Sequence, residues 1–162
     1  MTIQIISLIV ALLAVIVGPL ITYRITKKNL EFQFRTLIQE KWVIKLEEAA
    51  HLFLNTTSEW INKYPMLQDG SWKVENPNKE IDRMLDTINS TIIKLEFLLD
   101  NEKQDQAFIL ENVASMTSII HSRVYDDSSL SKLRKNHDDI ISTLQTIFHK
   151  ERSKITNIFR KA

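Results

Sequence analysis

From Met1 to Tyr23 the chain carries no charged side chain, and Ile5 to Ile21 is apolar except for Ser7 and Gly18. A helix rises 1.5 Å per residue, so about 20 such residues match a hydrocarbon layer of about 30 Å. A cleaved signal peptide needs basic residues before a shorter apolar run and small residues at the cut. Here no Lys or Arg precedes the run, and Thr22-Tyr23-Arg24 is a poor cleavage site. The sequence therefore predicts an uncleaved single-pass transmembrane anchor over residues 1–23. Arg24, Lys27 and Lys28 follow it directly, which places the downstream chain on the cytoplasmic side. The expected location is the inner (cytoplasmic) membrane, with the N-terminus outside. Tyr23 falls where an aromatic side chain sits at the headgroup boundary.

Ser7, Ala11, Ala14, Gly18 and Thr22 recur at steps of 4, 3, 4 and 4. Small residues on one helix face let two helices approach in lipid, so Ser7, Ala11, Ala14 and Gly18 are candidates for an anchor packing face. The expected assembly is a homo-oligomer.

The remaining 24–162 reads as helix throughout. Two glycines and three prolines in 162 residues leave too few tight turns for a sandwich, a barrel or a Rossmann unit. Leu30, Phe34, Leu37, Ile38, Trp42, Leu46, Phe53, Trp60 and Tyr64 fall mostly at steps of 3, 4 or 7, which predicts a helix over 24–64, continuous from the membrane and stopped by Pro65. Residues 65–76 read as a loop around Asp69-Gly70-Ser71. Asn76 is placed to cap a second helix with Pro77 in its first turn, over 77–100. Helices over 103–124 and 129–160 follow, the last capped by Ser128 or Ser129. The fold class expected is all-α: a transmembrane helix continuing into an antiparallel bundle of about four helices with coiled-coil-like packing.

No cysteine is present, which removes disulfide frameworks, thiolate zinc sites and thiol nucleophiles. There is no Gly-rich phosphate loop, no His-Glu-x-x-His and no Gly-x-Ser-x-Gly. Neither Asp126-Asp127 nor Asp138-Asp139 forms an acid–base dyad. None of His51, His121, His137 and His149 has a second His or carboxylate at metal-binding helical spacing on both sides, and His137 falls on an apolar stripe. These readings predict a non-enzyme without metal or cofactor. A net charge of +1 offers no field for duplex nucleic acid.

Charge is nevertheless uneven, with basic residues concentrated at 24–64 and 128–162 and acidic ones between. In an up-down bundle the last helix returns towards the start of the first. Lys150, Arg152, Lys154, Arg160 and Lys161 would then join Arg24, Lys27, Lys28 and Arg35 against an anionic lipid surface. Trp42 and Trp60 lie on the first helix's apolar stripe and read as core. Trp72 lies in the loop, and is the expected contact for a ligand or partner.

The stretch Gln39-Glu40-Lys41-Trp42-Val43-Ile44-Lys45-Leu46 resembles a loose class of small, mostly uncharacterised bacterial membrane proteins often encoded near phage-defence or mobile-element genes. In that class an N-terminal anchor leads into a helix carrying Trp-x-x-x-Leu. The resemblance covers roughly residues 5–55, and this chain has Glu47 where the class usually has Arg. The resemblance implies a role in antiviral defence or stress. The function expected is a membrane-tethered interaction protein with an unknown cytoplasmic protein partner. The alternative is a ligand-gated membrane effector whose bundle takes a small anionic ligand, plausibly a nucleotide signal.

Overall fold

The computed structural model describes residues 2–71, 75–123 and 126–159, without the side chains of 2–14, 16, 68 and 157–159. Every regular element among the described residues is a helix: α1 (Thr2–Gln68), α2 (Pro77–Leu98), α3 (Gln104–Ser122) and α4 (Asp127–Phe159). The chain divides into two compact units, Met1–Glu40 and Lys41–Ala162. The second unit is the helical bundle.

Its core is built on one repeated step. α1 buries Val43, Leu46, Ala50, Phe53, Thr57, Trp60 and Tyr64, and α3 buries Gln106, Ile109, Val113, Met116 and Ile120. Both sets alternate steps of 3 and 4. α2 supplies Met84, Ile88, Thr91 and Leu95, with Leu99 just past its end, and α4 supplies Leu133, Asn136, Ile140, Leu144 and Ile147. A seven-residue repeat keeps one helix face turned to its neighbours, which is the geometry of knobs packed into holes. Each large apolar side chain removed from water contributes on the order of 1.5–3 kcal/mol before ordering costs.

The inter-helix bonds fix the direction of the chain. Along α1 and α2, Glu59 meets Arg83 at 3.3 Å while Trp42 donates through Nε1 to the Leu98 carbonyl at 2.7 Å. Numbering falls on one helix as it rises on the other, so the two are antiparallel. Leu54 with His137 and Glu47 with Arg152 give the same result for α1 and α4. Short connections place α3 between α2 and α4, with Asp105 and Lys150 4.0 Å apart. The bundle is up-down-up-down.

Helix ends follow local chemistry, and two differ from expectation. Pro65 does not stop α1, which runs another turn to Gln68. Proline removes its own N–H, but its carbonyl still accepts from Asp69 N at 3.1 Å. The stop comes at Gly70, whose φ of 74° lies in the left-handed region, beside a turn in which Ser71 N donates to Asp69 Oδ1. α4 is capped by Asp126, whose Oδ1 accepts from Ser129 N at 2.7 Å, rather than by Ser128 or Ser129. Asn76 caps α2 as the sequence predicts, accepting from Lys79 N at 3.2 Å with Pro77 in the first turn.

Among the described residues, no helix is long and apolar enough to cross a membrane. Most of the run read as an anchor has its side chains outside the described residues.

Candidate functional site

Gln145, Phe148, His149, Arg152, Ser153 and Thr156 stand on α4 at i, i+3, i+4, i+7, i+8 and i+11, and so share one face of the helix. With Glu47 of α1 they line an open groove of about 660 Å³. Phe148 is half-buried against the core and ties the groove to it. Arg152 Nη2 donates to both Glu47 oxygens, at 3.0 and 2.8 Å. Thr156 donates to the Arg152 carbonyl at 3.0 Å. A guanidinium, an imidazole, an amide and two hydroxyls beside an aromatic ring suit recognition of a polar or anionic group. Glu47 already occupies the guanidinium, so an anion has to compete for it.

Three of the basic residues expected at a lipid surface carry acidic partners. Lys150 pairs with Asp105, Arg152 with Glu47, and Lys154 with Glu151 at 2.5 Å. Exposed pairs of this kind contribute only about 0–1 kcal/mol, but they offset the local positive charge. Arg160 and Lys161 lie outside the described residues. Arg24, Lys27 and Lys28 are exposed on α1 within the first unit.

For the anchor packing face, the side chains of Ser7, Ala11 and Ala14 lie outside the described residues. Gly18 is exposed, and a Cβ built there meets nothing within 4 Å. The Thr22 hydroxyl bonds back to the Gly18 carbonyl at 2.9 Å. Trp72 also lies outside the described residues.

His137 is half-buried, and its Nε2 lies 3.2 Å from the Leu54 carbonyl, linking α4 to α1. Trp42 makes the corresponding link to α2, while Trp60 is fully buried and stacked on Tyr64 with centroids 4.7 Å apart. No group of three or more His, Asp or Glu suited to a metal occurs among the described residues. On the outer surface of α1 and α2, the Lys63 hydrogen bond chiefly holds the Glu59 carboxyl below its ordinary value, burial opposes it, and Arg83 adds a smaller lowering effect. Glu80, bonded to Arg83, is lowered in the same way, and Arg83 is raised.

Two residues escape sequence reasoning. Glu47 reads there only as a departure from a motif, yet it is the partner of Arg152. Asn136 is buried at a core position, and its Nδ2 has no hydrogen-bond partner. Its steps of 3 from Leu133 and 4 to Ile140 carry the signal for the second.

The fold defines a four-helix bundle headed by a long N-terminal helix. No family model, curated protein or solved structure matches the chain.

Proposed function

We propose that this chain is a non-enzymatic, membrane-tethered interaction protein that self-associates, with its bundle in the cytoplasm and its N-terminus outside. The observation that carries this reading is the run of uncharged residues up to Tyr23, followed at once by Arg24, Lys27 and Lys28. Apolar residues at this density are costly to leave in water, and the flanking cations set the direction of insertion. The bundle then presents its outer surface to a cytoplasmic partner. The resemblance around Trp42 supports a role in phage defence or stress.

The tether is tested by fractionation. The full chain should stay with membranes through alkaline and high-salt washes, and protease added to inside-out vesicles should digest the bundle. Release by alkali overturns the tether, and protection of the bundle overturns the orientation.

The groove along α4 favours a second reading, a membrane effector gated by a small anionic ligand that displaces Glu47 from Arg152. A potential-sensitive dye separates the two. An interaction protein leaves the membrane potential unchanged when overproduced, whereas a gated effector collapses it when its signal is present.

A further inference from the structure

α1 has two apolar faces. Its inner one, with Val43, Leu46, Ala50, Phe53, Thr57 and Trp60, is buried in the bundle. On another side of the same helix Tyr23, Leu30, Leu37 and Ile44 fall seven residues apart, and they are 68, 60, 47 and 48% exposed. Phe34, 65% exposed, sits midway between Leu30 and Leu37 and fills the alternate row. At 100° per residue this stripe lies about 150° round α1 from the buried face.

We propose that this stripe is a parallel two-stranded coiled-coil seam to a second copy of the same chain. Tyr23, Leu30, Leu37 and Ile44 form the d row, and Lys27, Phe34 and Lys41 the a row. Leu30 and Leu37 put leucine at the centre of the d row, the d residue of two-stranded seams. Charge complementarity selects the occupant. In that register Glu40 stands at g and Lys45 at e, so each copy sets Glu40 against Lys45 of the other, twice by symmetry. Lys27 and Lys41 keep their ammonium groups in water by extending along the seam, and a polar residue in this row fixes register at some cost in affinity. The parallel direction rests on the proposed tether, which makes both copies leave the membrane the same way.

Absence of cysteine makes the test clean. Single-cysteine variants of the full chain are oxidised mildly in membranes. Leu30→Cys and Leu37→Cys should form disulfide dimers at least ten-fold better than Asn29→Cys, because only close Cβ atoms can bridge. Glu40→Lys should lower the Leu37→Cys yield, and adding Lys45→Glu should restore it. Equal yields at 29 and 30 mean random collision and overturn the seam. Linkage at Gly18→Cys without linkage at 30 or 37 also overturns it, while leaving the self-association of the tether intact. No linkage anywhere, with the stripe shielded from aqueous labels in bilayers, assigns the face to lipid instead. A chain found outside the membrane fraction fails the tether and not the seam, which detergent-free crosslinking then reads directly.

Discussion

Among the described residues Asn136 Nδ2 is a buried side-chain nitrogen left without a partner. An unmet donor of this kind costs about 1–3 kcal/mol, whereas an apolar group of similar shape costs nothing in hydrogen bonding. Asn136→Leu should therefore raise stability by about 1–2 kcal/mol, read as a higher urea midpoint at unchanged slope. A lower midpoint would show that the site has no room for the added methyl groups. Asn76 tests the opposite sign. Its side chain satisfies Lys79 N, so Asn76→Ala should lower stability by about 1 kcal/mol in the same titration.

Between elements the pair Glu47–Arg152 is the measurable link from α1 to α4. Both side chains are about half exposed, so a double-mutant cycle with Glu47→Gln and Arg152→Gln should give a coupling of about 0.2–1 kcal/mol that fades in molar salt. Coupling that survives salt would mean the pair is drier than its exposure indicates. Within α1, Pro65→Ala returns a donor to the Ile61 carbonyl inside the last turn and should raise the thermal midpoint. The helices themselves were legible because a step of 7 survives in the sequence at Leu46, Phe53 and Trp60, and steps of 3 and 4 at their counterparts in α2 and α3. Caps were legible where one candidate stood alone, as at Asn76 before Pro77. At Asp126 to Ser129 four capping residues stand in a row, and no pattern announces that Asp126 is the one whose Oδ1 meets Ser129 N. The groove was not legible at all. Glu47 and Arg152 are 105 residues apart, and their meeting depends on how α1 and α4 are rotated about their axes. The periodicity of each helix specifies its buried face but not which edge residues then touch.

For the bundle as a whole, the carboxyl shifts of Glu59, Glu80, Asp69, Asp100 and Asp126 share one sign. Glu59 is held low first by Lys63, Glu80 by Arg83, Asp69 by Ser71, Asp100 by the Glu102 N–H and Asp126 by Ser129. In the unfolded chain these groups bind protons at about pH 4, and in the folded chain only below that. Their stabilisation is complete above about pH 5 and is lost as the pH falls through the lower folded values. Circular dichroism from pH 7 to pH 2 should show helix loss confined to the acid end. The antiparallel pairing of α1 with α4 also has a consequence in time. A ribosome adds about 5–20 residues per second, so Glu47 waits roughly 5–20 s before Arg152 has been made. Phe53 and Trp60 stay uncovered on that side for a similar interval. The nascent chain therefore passes through a stage when its first helix is complete and its fourth does not exist, and during that stage a chaperone or a neighbouring nascent copy competes for the face that α4 will close.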